Sequence, residues 1–328
     1  MNKNSLLIPD NQTEQISARD LSSGEKIIAS SISLGILFIA IVALAFSPIF
    51  TKLSEIELLT PTAIVFNRLW IATIIISCWQ IIKTPPEFKQ IQFLDNIPNY
   101  KERSLLILAS VAATVSSLLW AMSLTQTSVA SSTVLRSLTP LFISLGAWLI
   151  LKQQFNRQFV TGMAISIAGG MIIGWDDLQL GTEYLSGDSL ALLSAALHGV
   201  NLLTVGYLRD RDCNTAKVLF WRCGFGALII LPIVYLTDTP MFPTSTQGWL
   251  TVIALAVICQ TFGQGLLVYS LKQFSSSFVG IFTLLKPIIT AFLAWVIFAE
   301  NLNLTSCIAV ILILCGIYLA KSSNSAIN

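Results

Sequence analysis

Long apolar blocks alternate along the chain with short polar stretches, and the blocks dictate the elements. Ile27 to Thr51, Gln158 to Trp175, Thr239 to Leu271 and Asn301 to Ala320 carry few or no charges, and each is at or near the about 20 residues that cross a bilayer as helix. One helix per uninterrupted block predicts ten spans, at 27–50, 62–82, 104–124, 129–151, 158–174, 187–208, 215–236, 247–269, 277–298 and 304–320. Ser104 to Leu151 carries only Arg136 and is too long for one crossing, so it reads as two helices joined near Thr125-Gln126-Thr127. Membrane barrels need short strands of alternating polarity, whereas these blocks are continuously apolar and hold Gly and Pro. The predicted fold class is an all-α integral membrane protein with ten transmembrane helices.

Composition agrees. Of 328 residues 54% are hydrophobic and 11% charged, where soluble domains have about a quarter charged. The net charge of +2 is too small for nucleic acid to be a partner. Five of the six cysteines lie in or beside apolar blocks and none forms a CxxC pair, so they read as small packing residues, with no disulfide and no metal expected. Residues 1–26 are mixed polar and charged, with only Leu6-Leu7-Ile8 apolar, and read as a disordered tail without a signal-peptide core.

Basic loops stay in the cytoplasm, so the placement of Lys and Arg orients the spans. With the N-terminus inside, thirteen basic residues outside the spans, from Lys3 to Lys321, fall on the cytoplasmic side, and only Lys52 on the outer side. Both termini, including the short tail 322–328, are expected in the cytoplasm, and the membrane is expected to be the cell membrane.

The chain also repeats weakly. Leu44, Thr51, Thr62, Ala63 and Val65 fall on Leu197, Thr204, Thr215, Ala216 and Val218, with Arg68 falling on Arg222 after a one-residue slip. Ser123-Leu124, Gln126, Ser128, Pro140, Trp148, Asn156 and Gly169 fall on Ser270-Leu271, Gln273, Ser275, Pro287, Trp295, Asn303 and Gly316. Two five-helix repeats, 27–175 and 187–321, follow. Five is odd, so the second begins on the opposite side of the membrane and the repeats are inverted, an arrangement that lets one central site open to either side in turn.

Five cations sit in or at the edge of spans. Lys217 lies near a span end and is expected to snorkel to water. Arg68 and Arg222, about seven residues into spans two and seven, read as bundle-packing or interfacial groups. Arg136 shares a helical stripe with Ser128, Ser132 and Thr139, and Lys286 shares one with Ser276, Thr283 and Thr290; the repeat places the two stripes on one face. A cation near the membrane centre costs at least about 2.5–3.5 kcal/mol unless solvated or paired, so Arg136 and Lys286 are expected to face a wet cavity or a bound anion. His198 and Asn201 on span six, Gln260 and Gln264 on span eight, and Ser116 and Trp120 on span three are further candidates for lining it, and Pro140 and Pro287 for shaping or hinging it. No acid falls at a span centre, no nucleotide-binding G-x-x-x-x-G-K-[ST] occurs, and one histidine allows neither HExxH nor a Ser/His/Asp set. No catalytic residue and no cofactor is assigned; the expectation is a non-enzymatic carrier with a small-molecule substrate and the lipid bilayer as partners, with a homodimer left open.

The repeated run from Ser123-Leu124 to Pro140 and from Ser270-Leu271 to Pro287 resembles the EamA family of the drug/metabolite transporter superfamily. The second repeat carries Pro287, Ala299-Glu300 and Gly316 of the family pattern, and Leu197-His198-Gly199-Val200-Asn201 is similar to its L-W-G-x-N-F run. The first repeat departs from it, with Gln153 in place of the glutamate and Pro48 in place of the asparagine. The resemblance covers about residues 27–321 and implies a carrier of small metabolites, often an exporter of amino acids or related solutes. Unpaired cations favour a carboxylate- or phosphate-bearing ligand, and amino acids or organic acids are preferred. A carrier of phosphorylated or nucleotide-linked sugars, and a non-transporting scaffold or sensor with the same fold, remain open alternatives.

Overall fold

A computed structural model describes residues 23–56, 59–83, 99–124, 126–127, 132, 135–173, 185–236, 240–298 and 304–323. The residues before Ser23, Thr125 of the expected turn, Ser128 of the Arg136 stripe, Ala299-Glu300 and the last five residues lie outside them. No strand occurs among the described residues. Span one runs Ser23–Ala45, a few residues ahead of its expected edge, and continues past Phe46 as Ser47–Ile56. Spans two and three are Pro61–Lys83 and Tyr100–Leu124. Spans five, six and seven are Arg157–Ile173, Leu185–Asp210 and Thr215–Leu236. Span ten is Leu304–Lys321. Six spans, namely one, two, three, six, seven and eight, are long and apolar enough to cross a membrane.

Three spans are irregular, two of them beside the prolines singled out in the sequence. Span four resolves into Leu135–Arg136, a turn at Ser137–Leu138 and the helix Thr139–Leu151. Span nine is Ser276–Phe282, a turn at Thr283–Leu284 and Leu285–Phe298. Span eight is Thr246–Ala254 and Gln264–Ser270 with a π-helical stretch, Leu255–Gly263, between them. Such wide turns are costly and occur where a side chain must be re-aimed. Pro140 and Pro287 sit in the first turn of the second half of spans four and nine, where a helix has no use for the missing N–H. They start new helices, and the breaks fall one turn before them.

Helix contacts reveal the inversion. Exchanging each span with the one five later turns the contact of one with eight into six with three, and one with nine into six with four. All four are present: Cys259 Sγ meets the Ala43 carbonyl, Ser116 and Ser194 bond reciprocally, Thr290 Oγ1 donates to the Ala45 carbonyl, and Gly199 packs on Phe142 and Ile143. Spans two and seven, and five and ten, pair with their own equivalents. Gly226 faces Leu69 while Gly224 faces Thr73, so spans two and seven are antiparallel. Gly162 faces Gly316 and Ala320 while Ser166 reaches Ile313, so spans five and ten are antiparallel too. A two-fold axis along the helices would make such self-paired spans parallel; only an axis across them, in the membrane plane, makes them antiparallel. The fold is ten transmembrane helices in two inverted five-helix repeats.

Spans five and ten meet backbone to backbone, where a Cβ on Gly162 would lie 2.6 Å from the Gly316 carbonyl oxygen and one on Gly316 would lie 2.5 Å from that of Gly162. Apolar side chains gain little by leaving lipid for each other, so backbone-to-backbone packing of this kind is what joins membrane helices.

The two ends of the bundle differ chemically. At one, Phe242 lies against Phe66, Trp70 and Trp249, and Asn67 donates to the Met241 carbonyl at 2.7 Å. At the other, Lys217 bonds Glu102 at 2.8 Å, and Lys272 pairs with Asp212 and holds that carboxyl below the usual carboxylate range by its hydrogen bond and its charge. Lys217 therefore does not snorkel. The start of span seven packs on that of span three, and Glu102 supplies a partner that bulk water would otherwise have replaced.

Candidate functional site

Each of the cations expected inside the bundle is held by a different element. Arg136 ends the first half of span four. Its Nη1 donates to Ser194 Oγ on span six, and its Cζ stands 5.1 Å from the centre of the Trp120 ring on span three. Ser194 is itself locked, since its Oγ donates to the Ser116 carbonyl at 2.7 Å and Ser116 Oγ donates to the Ser194 carbonyl at 2.8 Å. The guanidinium is thus placed by two helices and stacked by an aromatic face, which attracts a cation through its quadrupole. Trp120 Nε1 is buried without a hydrogen-bond partner.

Arg68, on span two, donates from Nε to Gln260 Oε1 at 2.6 Å, and Gln260 Nε2 reaches Cys223 Sγ at 3.3 Å. Arg222, on span seven, donates from Nη2 to Gln264 Oε1 at 3.1 Å, while its Nη1 is buried with no hydrogen-bond partner. Both acceptors come from the irregular part of span eight. There the Gln264 N–H reaches back to the Cys259 carbonyl and Thr261 Oγ1 to that of Ala256, five residues in each case. Gln260 and Gln264, candidates for lining the cavity, spend their side-chain carbonyls on arginines from the two repeats.

Lys286 stands at the start of the second half of span nine, and its ammonium makes no hydrogen bond or ion pair with the described residues. Thr139 donates to the Arg136 carbonyl at 2.7 Å and Thr283 to the Gly280 carbonyl at 2.6 Å, so both hydroxyls serve the helix breaks. Asn201 is buried and its Oδ1 has no hydrogen-bond partner.

Electrostatic neighbourhoods show which of these groups share a space. Arg68 is within Coulombic reach of Arg136, Arg222 and Lys286, and Lys286 is within reach of Arg136. His198 is within reach of all four. Arg68, Arg136, His198 and Lys286 are deeply enclosed by protein, yet each keeps part of its surface accessible. These side chains lie within the bundle without being sealed in a solid core.

The described ion pairs, Lys217–Glu102 and Lys272–Asp212, both lie at the charged end, and none of the four central cations has a carboxylate partner among the described residues. Four positive charges therefore converge on one interior region. Two broken helices, spans four and nine, add the partial positive charge of their N-terminal ends nearby.

The model of the EamA-like transporter family matches residues 32–175 and 185–321. The chain belongs to the EamA-like transporter family. A relative in that sense is the "Uncharacterized transporter" of Archaeoglobus fulgidus, 23% identical over 211 residues that make up 61% of this chain and 70% of that protein. A solved structure described only as "Crystal structure of protein" superposes with a TM-score of 0.76 over 89% of this chain and 96% of that one, at 16% identity. That likeness shows the fold alone. Family membership makes this EamA-like protein a multi-pass membrane transporter.

Sequence reasoning did not single out Ser194, the acceptor for Arg136. The signal was available: Ser194 lies four residues before His198 and seven before Asn201, on the same helical stripe. Cys223 carried no comparable signal, since its place beside Gln260 depends on how spans seven and eight pack.

Proposed function

We propose that this EamA-like protein is a secondary carrier that exports small carboxylate-bearing metabolites, amino acids and related solutes among them, across the cell membrane. One central site bordered by Arg136, Lys286, Arg68 and His198 is exposed to either side in turn, as the repeats exchange conformations. Both chain termini are cytoplasmic in this reading, which the distribution of basic loops supports. The observation that carries it is Lys286, an ammonium deep in the bundle without a partner among the described residues and beside a second cation, Arg136. A charge left in that position needs water or an anion, and a passing carboxylate satisfies both residues at once. Thr139 and Thr283 hold the helix breaks that position them, Trp120 stacks on the guanidinium, and Asn201 offers a buried acceptor.

The test is flux in proteoliposomes. Labelled amino and organic acids loaded inside should exchange with external solute through the native protein, while Arg136→Ala and Lys286→Ala should each slow exchange by tenfold or more at unchanged protein insertion. Flux that ignores both substitutions would overturn the site.

A further inference from the structure

We infer that the central site takes a small dianion without a cationic group, a dicarboxylate or a phosphate monoester, in preference to a zwitterionic amino acid. This rests on the carrier reading above and narrows its ligand.

The charge gathered in this region exceeds what one carboxylate balances. Arg68 and Arg222 join Arg136 and Lys286 there, with Arg68 in Coulombic reach of each of the other three. A zwitterion brings no net charge, and a monoanion leaves three of the four cations uncompensated. A dianion halves the excess inside a medium that screens charge poorly.

Donor accounting agrees. Arg68 bonds Gln260 through Nε, and its two terminal nitrogens have no partner among the described residues. That leaves the planar fork which matches a carboxylate or phosphate edge. Lys286 has all three donors to spend, and Arg136 is bonded only through Nη1. Unspent donors thus come from spans two, four and nine, more than one anionic group can satisfy.

Acceptors are scarce by the same count. An α-ammonium needs carboxylates or carbonyls, and no carboxylate pairs with the central cations among the described residues. The side-chain carbonyls of Gln260 and Gln264 are already engaged by Arg68 and Arg222. Asn201 Oδ1 is the one buried acceptor without a partner among the candidate lining residues, and a single amide oxygen poorly replaces the hydration of an ammonium that would sit among four cations.

The experiment pairs binding with flux. The full-length protein in detergent is heated with succinate, glycerol 3-phosphate, butyrate, alanine or glutamine, and its melting temperature followed; the same labelled solutes are then exchanged in proteoliposomes. Succinate or glycerol 3-phosphate should stabilise and exchange at concentrations at least tenfold below butyrate, alanine and glutamine, and the comparison between the two dianions tells dicarboxylate from phosphate. Arg68→Gln should remove that advantage. Gln260→Glu, which keeps Arg68 in place but neutralises it, should also remove it while the empty protein melts at the same or a higher temperature. Exchange of alanine or glutamine with no response to either dianion would overturn the inference and leave the carrier standing. An equal response of native and Gln260→Glu protein to dianions would overturn the role of Arg68 and the inference with it. No exchange of any solute would overturn the carrier reading itself.

Discussion

Arg68 and Gln260 stand 192 positions apart in sequence, in different repeats, and are joined by a 2.6 Å hydrogen bond from Nε to Oε1. The bond exists because the π-helical stretch Leu255–Gly263 shifts the register of span eight and brings its two glutamines onto the arginines of spans two and seven. Gln260→Ala leaves a buried guanidinium without its acceptor. A hydrogen bond to a charged group is worth about 1.5–3 kcal/mol, so the variant should melt several degrees lower than the native protein in detergent. An unchanged melting temperature would show that water replaces the amide without cost.

Trp120 fixes Arg136 by its ring face at 5.1 Å, a contact worth about 0.5–2 kcal/mol depending on desolvation. Trp120→Phe keeps a π-face, so the concentration of solute giving half-maximal flux should rise only a few-fold. Trp120→Leu removes the face, and a rise of about tenfold is expected. Equal effects of the two substitutions would assign Trp120 to packing alone.

Spans five and ten touch backbone to backbone at Gly162 and Gly316. A side chain at Gly316 would also strike Ser166, so the helices must separate. Gly316→Leu should destabilise by more than the about 1–3 kcal/mol typical of overpacking, because backbone and not a movable side chain is in the way. Poor recovery of folded Gly316→Leu, against normal recovery of Gly35→Leu, checks this, since nothing lies within 4 Å of a Cβ at Gly35.

Lys217 and Glu102 form a 2.8 Å ion pair in which the lysine side chain is 10% exposed and the glutamate 30%. Removing one partner takes this ion pair from the other, half-buried group, whereas removing both leaves neither charge. Lys217→Met and Glu102→Gln should each lower the melting temperature, and the double variant should recover part of the loss. Simple addition of the two single losses would mean that the pair contributes no coupling.

Much of the fold was legible from the chain. Apolar blocks of helical length predicted the spans, and the match of Ser123 to Pro140 with Ser270 to Pro287 exposed the repeat. Arg136 and Lys286 stood out because a charge inside an apolar block is expensive wherever the helix turns. The role of the prolines was only half legible: they mark the breaks in spans four and nine, but as starts of second helices. The π-helical stretch left no trace, since Leu255 to Gly263 is as apolar as any regular helix.

Arg68 and Arg222 show where that legibility stops. Their depth in spans two and seven was countable, but depth along a helix says nothing of rotation about it, which the packing of neighbouring helices decides. The sequence alone determined that ten helices form and that the second five are inverted, because lipid obliges every apolar block to satisfy its own backbone and an odd number of crossings reverses the side. Only the tertiary structure decided that four cations, drawn from spans far apart in the chain, come within Coulombic reach of one histidine, His198, because that depends on the rotation of each helix against its neighbours, which close contacts such as Gly162 on Gly316 and Ser116 on Ser194 set.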